Sequence, residues 1–189
     1  MDGRLPGVDD DSPEQVICHV DMDCFYAACE RLREPALEGE PLVVGMGYES
    51  GENHGAVATA SYEAREFGVE SAMAISQALE RLPRKVEAVD DPEIDPDDAG
   101  FYRTVDLDYY ESVAEDVKTI LHDTADTVRE VSIDEAYLDV TEAVDWESAA
   151  EFGQALKDRI ENEVGVVASV GVAPAMSAAK IASDHDKPD

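Results

Sequence analysis

The stretch T-V-R-E-V-S-I-D-E-A-Y-L-D-V, Thr127–Val140, places two adjacent acids, Asp134 and Glu135, between two runs of strand-forming residues. Thr127–Ile133 and Ala136–Val140 are rich in β-branched and apolar side chains and predict the arms of a β-hairpin with the two acids at its tip. Upstream, Leu107–Thr124 carries Tyr110, Val113, Val117, Ile120 and Leu121 on one face at helical period. Downstream, Trp146–Val164 keeps Trp146, Ala149, Gly153, Leu156 and Ile160 in register, so a second amphipathic helix is expected there. Val166–Ala173 then reads as a strand, and Ser177–Ser183 opens a last helix. Near the start, Val16–Met22 alternates, with Ile17, His19 and Asp21 on one face and Cys18, Val20 and Met22 on the other. A helix over Asp23–Leu32 follows. The order β-α-(insert)-α-ββ-α-β is that of a ferredoxin-like core, a split βαβ with a mostly antiparallel sheet, in an α+β fold.

The insert, residues 25–90, reads as a small α/β lobe. Pro41–Met46 and Gly55–Ala60 are its strands. Ser61 is placed to cap a helix over Tyr62–Phe67, which Gly68 ends. Ile75–Leu82 is a helix stopped by Pro83, and Val86–Val89 a strand candidate. Asp90–Gly100, with six acids, two prolines and one glycine, reads as a linker, and residues 1–15 as a disordered acidic leader.

The 189 residues include 45 acids and 14 bases, a net charge of −31, and 44% hydrophobic side chains. That hydrophobic share argues for a folded core despite the charge. No run of about 18 apolar residues occurs, so no membrane span is expected. The acidic N-terminus has no apolar segment of the kind a signal peptide carries, which points to the cytoplasm. The acids follow the outer faces of the expected helices. Their mutual repulsion suits a cytoplasm rich in salt, where the Debye length falls to about 3 Å. The competing reading is an acidic module that binds basic partners. The three cysteines, Cys18, Cys24 and Cys29, have no zinc spacing and cannot form a complete disulfide framework; buried thiols are expected.

Asp21, at the end of the first strand, and Asp134 and Glu135, at the hairpin tip, converge if these strands pair. Convergent carboxylates suit Mg²⁺, and two such ions about 4 Å apart support nucleotidyl transfer. Against this, with 45 acids an Asp-Glu pair in a turn is unremarkable by chance. Its setting between apolar strands gives the metal reading its weight, because unpaired charge there is costly. Tyr62 and Arg65 lie three residues apart on one short helix and can face one anionic ligand. Arg65 could equally pair with Glu63, Glu66 or Glu70. Lys180, one of five lysines, sits in the apolar run A-A-K-I-A and reads as a phosphate binder.

V-D-M-D-C-F-Y-A (20–27), G-A-V-A-T-A-S-Y-E-A-R-E-F-G-V (55–69), V-S-I-D-E-A-Y-L-D-V-T (131–141) and S-V-G-V-A-P with A-A-K-I-A-S-D and K-P-D (within 169–189) resemble the Y-family translesion DNA polymerases of the DinB type. The four blocks stand in the family's order and span nearly all of residues 16–189. The resemblance implies that Asp21, Asp134 and Glu135, with the Met22 carbonyl, hold two Mg²⁺ ions, for which Mn²⁺ can substitute. It implies that Tyr26 is the steric gate against a ribose 2′-hydroxyl. Cys24, Phe25 and Tyr26 would meet the dNTP triphosphate through their backbone, together with Thr59, Tyr62, Arg65 and Lys180. Ala56, Ala58 and Ala60 would leave an open roof over the nascent base pair.

By the same resemblance residues 16–24 and 91–187 form the palm and 25–90 the fingers. The implied partners are primer-template DNA and dNTP. The family's thumb and little finger would follow Asp189, and a sliding clamp would be reached only through them. The charge pattern adds a halophilic archaeon as the expected source. Where the family often has polar or basic residues, Ala173, Pro174, Ala175 and Met176 stand here. The readings left open are an inert palm or acidic interaction module and a palm-type nucleotidyl cyclase, the latter disfavoured by the Tyr26 and Tyr62/Arg65 blocks.

Overall fold

The computed structural model describes residues 15–185 and Lys187. The expected acidic leader therefore lies, but for Gln15, outside the described residues. The elements run β1 (Ile17–Met22), α1 (Phe25–Arg33), β2 (Leu42–Met46), β3 (Ala56–Ala60), α2 (Tyr62–Glu66), α3 (Ile75–Arg81), α4 (Glu87–Asp90), β4 (Phe101–Thr104), α5 (Leu107–Thr124), β5 (Thr127–Glu130), β6 (Glu135–Asp139), α6 (Ala149–Val164), β7 (Ala168–Ala173) and α7 (Met176–His185).

Four strands form one sheet in the order β5-β6-β1-β7, with every neighbour antiparallel. This is the order expected of a split βαβ core. One face of the sheet, with Cys18, Val20, Met22, Ala136 and Leu138, packs on α5 and α6. The five α5 residues read as its apolar face are all buried. Burial pushes the thiols of Cys18 and Cys29 up to about 12. All three cysteines are free.

The other face of β1 and β7 receives α7. Gly171 makes this approach feasible, because a Cβ there would stand 2.1 Å from the Ala179 carbonyl oxygen and 2.3 Å from the Ser183 nitrogen. The missing side chain thus sets where Lys180 and Ser183 sit relative to β1.

Three strands form the second sheet, ordered β3-β2-β4, antiparallel between β2 and β3 and parallel between β2 and β4. Its core gathers Val43, Tyr48, Val57, Ala60, Ala64, Ile75 and Leu82.

Three expectations need correcting. Val86–Val89 is no strand: Val86 and Val89 are 65% and 83% exposed. The Arg84 N–H donates to the Glu87 carboxylate at 3.3 Å, and the two side chains pair at 2.7 Å, so the chain turns into α4 instead. The expected linker does not close the lobe, because Phe101–Thr104 pairs in parallel with Leu42–Gly45 and the second sheet extends beyond residue 90. Trp146 stands outside α6, which starts at Ala149 after Asp145 folds back to accept the Ser148 N–H at 2.9 Å.

Candidate functional site

Pairing in the four-stranded sheet fixes the site. Asp21 on β1 lies directly across from Glu135 on β6 and from Ser169 on β7. The Met22 N–H donates to the Asp134 carbonyl at 2.9 Å, which ties the hairpin tip to the end of β1. Asp21, Glu135 and His19 bring one ligand atom each within 4.8 Å of one another. The Asp134 carboxylate stands beside this group and accepts from the Ser132 hydroxyl at 2.6 Å.

Two lysines face these acids. Lys180 on α7 donates to Glu135, and Lys187 donates to Asp21 and lies 3.4 Å from Asp23. The hydrogen bond from Lys180 holds the Glu135 carboxyl below its ordinary range against the opposing effect of burial. Asp21 is raised: burial dominates, the nearby Asp134 charge adds to it, and Lys187 opposes both. Burial would lower the Lys187 ammonium, but the bond to Asp21 and the neighbouring acids keep it raised.

Beyond β1 the chain turns through Cys24, a non-glycine residue in the left-handed region at φ 45°. Such a conformation costs about 1–3 kcal/mol. The Cys24 side chain makes no capping hydrogen bond at the start of α1. Phe25 is buried in the main core and can offer the site only its backbone. The Tyr26 ring stacks on Tyr110, with centroids 4.7 Å apart and planes 22° apart. Tyr110 is itself fixed by donating to buried Glu30 at 2.8 Å.

Ser61 shapes the opposite wall. Its hydroxyl accepts the N–H groups of Ala64 and Leu42 at 3.3 and 3.1 Å, which starts α2 and ties it to β2. Tyr62 faces Asp23, and burial together with that charge pushes its phenol up. Arg65 donates to the Ala60 carbonyl at 3.0 Å and lies 5.0 Å over the Tyr62 ring. The alternative salt bridge to Glu63 does not claim it: Glu63 pairs with Arg31 at 2.8 Å. Thr59 is half-buried on β3 opposite Val44. Ala56 and Ala58 are partly exposed, whereas Ala60 is buried in the lobe's own core and cannot contribute to an open roof.

Sequence reasoning missed several partners. Asp23, which the sequence reading places only at the start of a helix, is 7% exposed. It accepts from Ser169 at 2.9 Å, and its second oxygen has no partner. Its position two residues after Asp21 is the signal that could have found it. The strand alternation puts His19 on the face of Asp21 without giving it a role, and Lys187 stands only in the K-P-D motif; both reach the carboxylates.

The donor set fits divalent metal ions. Its atoms are mainly carboxylate oxygens, and the two lysine ammoniums already stand as positive charges against Asp21 and Glu135. An unpaired Asp23 oxygen nearby leaves a further acceptor free.

Comparison with known proteins agrees with this geometry. The family model described as impB/mucB/samB matches residues 20–184. A protein named DNA polymerase IV from Halobacterium salinarum is 64% identical over 186 residues, covering 98% of this chain and 44% of its own length. The DNA polymerase IV of Methanoculleus marisnigri is 41% identical over 175 residues, covering 93% of this chain and 44% of its own length. Among solved structures, the insertion ternary complex of Dbh DNA polymerase has a TM-score of 0.78 at 34% identity, covering 92% of this chain and 46% of that one. DinB from Sulfolobus solfataricus has a TM-score of 0.77 at 34% identity, with the same coverage. The chain thus spans less than half the length of these relatives.

Proposed function

The chain belongs to the impB/mucB/samB family, and we propose that it is the catalytic palm and fingers of a template-directed DNA polymerase that tolerates damaged templates. The observation that carries this reading is the register that sets Asp21 opposite Glu135, with Asp134 tied alongside. Asp21, Asp134, Glu135 and the Met22 carbonyl would hold two divalent ions. When bound, Mg²⁺, or Mn²⁺ in its place, would lower the pKa of a primer 3′-hydroxyl and stabilise the pyrophosphate leaving group. The hard oxygen donors favour Mg²⁺.

The chain's own residues do the rest. Tyr62, Arg65 and Lys180 supply a phenol and two cations for the triphosphate, and the N–H groups at the start of α1, after Cys24, would donate to phosphate oxygens. Lys180 then exchanges Glu135 for phosphate. Thr59, on the edge strand β3 of the same lobe, would add a further contact to the nucleotide. Tyr26, held flat against Tyr110, forms a rigid floor under the sugar. Positioning and fixed charge carry the reaction, and no side chain is required as general base. The DNA, the dNTP and a place in the cytoplasm belong to this proposal.

The test is single-nucleotide primer extension by the chain in high KCl with Mg²⁺, beside Asp134→Ala. Template-directed incorporation that the variant loses supports the reading. Incorporation unchanged by the substitution would remove Asp134 from the metal site.

A further inference from the structure

His19 is completely buried beneath the carboxylates, on the β1 face that α7 covers. Its ring lies 4.5 Å from that of Tyr137. Nδ1 is 2.7 Å from the Ser183 hydroxyl, and that hydroxyl also reaches the Lys180 carbonyl at 2.8 Å. Nε2 has no hydrogen-bond partner, yet it points at Glu135 Oε2 from 3.5 Å. Leaving a buried polar nitrogen without a partner is costly, and an apolar side chain would avoid it.

Two arrangements are open to a neutral ring. With the proton on Nδ1, the Nε2 lone pair faces a carboxylate oxygen, and the two repel. With the proton on Nε2, the ring donates toward Glu135, and Ser183 turns its single hydroxyl proton onto Nδ1. The second arrangement gives both ring nitrogens a partner of the right kind. In this structure Lys180 holds the same Glu135 oxygen, and Nε2 stands 3.5 Å from it.

We propose that His19 is a positioning residue for Glu135: when Lys180 turns to substrate phosphate, His19 Nε2–H takes over Glu135 Oε2, with Ser183 locking the ring from behind. This rests on the reading of Glu135 as a metal-binding carboxylate. A ligating carboxylate that loses a charged partner needs a second donor to keep its orientation, and such supporting bonds change metal affinity by about 10–100-fold. Gly171 is what lets α7 bring Ser183 within reach. The arrangement therefore links metal site and triphosphate site through one helix.

The experiment is Mn²⁺ binding to the chain in high KCl with a saturating dNTP, which draws Lys180 off Glu135, read from the EPR signal of free Mn²⁺ and corrected with a protein-free dNTP blank, for wild type, Asp134→Ala, His19→Asn, His19→Gln and Ser183→Ala. Circular dichroism establishes that each variant is folded. An Asn amide can replace Nδ1 but does not extend to Glu135, whereas a Gln amide reaches the Nε2 position. His19→Asn should weaken Mn²⁺ binding about tenfold. His19→Gln should restore it, and Ser183→Ala, which leaves the ring free to turn, should weaken it less. Wild-type affinity in a folded His19→Asn or Ser183→Ala, while Asp134→Ala has lost binding, overturns the inference alone. A directly coordinated imidazole nitrogen in the pulsed EPR spectrum of bound Mn²⁺ also overturns it, since His19 would then be a ligand. Absence of Mn²⁺ binding in the wild type, or full binding in Asp134→Ala, removes the metal reading and the inference together.

Discussion

Tyr26 joins local chemistry to selection. In the proposed role as sugar gate its ring could not drop away from the nucleotide, because Tyr110 lies flat behind it and is anchored by Glu30 at 2.8 Å. Replacing Tyr26 with alanine removes the wall while leaving the anchor. The expected outcome is incorporation of ribonucleotides in primer extension, with dNTP incorporation retained; unchanged sugar discrimination would rule out the gate. The residues of the site differ in how they can be read from sequence. Asp21, Asp134 and Glu135 stand out because carboxylates interrupt apolar strands. Asp23 escapes because solvent exposure is the default for an acid, and only the turn at Cys24 and the Ser169 hydroxyl reveal its burial. His19 and Ser183 are 164 residues apart, and their bond becomes visible only once α7 is laid on β1.

Helices and strands whose side chains repeat every two or 3.6 residues were legible, since burial on one face writes that period into the chain. The bounds of α5 agree with the periodicity at both ends, and the hairpin β5–β6 falls where the acids interrupt the strand-formers. β4 was not legible: four residues, F-Y-R-T, carry too short a pattern, and their partner β2 lies about sixty positions upstream. Two element contacts give direct predictions. Gly171→Ala puts a Cβ into the backbone of α7 and should destabilise the fold by about 1–3 kcal/mol, read as a lower midpoint in denaturant. Because the displaced helix carries Lys180, dNTP affinity should fall with it. At the start of α5, Asp106 caps the helix through the Tyr109 N–H at 3.3 Å and pairs with Arg33 of α1 at 2.7 Å. The bond from Arg33 and the capping N–H hold its carboxyl below the ordinary value of 3.8. A carboxyl depressed by folding stabilises the fold above its unfolded pKa and stops doing so as pH falls through the folded one. Asp106→Asn keeps a cap but loses the charge. Its melting temperature should lie below wild type at pH 7, and the difference should shrink as pH falls below 3.8; a difference independent of pH would show that the charge contributes nothing.

At the scale of the whole molecule, 45 acids meet only 14 bases, and many of those bases are already engaged. Arg31, Arg33, Arg84, Lys85, Arg103, Lys118 and Arg159 pair with acids on or near the surface, most of them partly exposed. Solvent screens pairs of this kind, so they do too little to offset a net charge of −31. The acids are spread along the sequence of both lobes, so their effect is general repulsion across the fold. At about 0.1 M salt the Debye length is about 10 Å, and at 1 M it is about 3 Å. Lowering KCl from molar to about 0.1 M should therefore unfold the chain, seen as loss of the helical far-ultraviolet signal. Screening depends on ionic strength and not on the identity of the ion. NaCl or tetramethylammonium chloride at equal concentration should thus protect as well as KCl. Full stability at 0.1 M would show that packing of the two cores outweighs the repulsion. Protection by KCl alone would point instead to bound potassium ions.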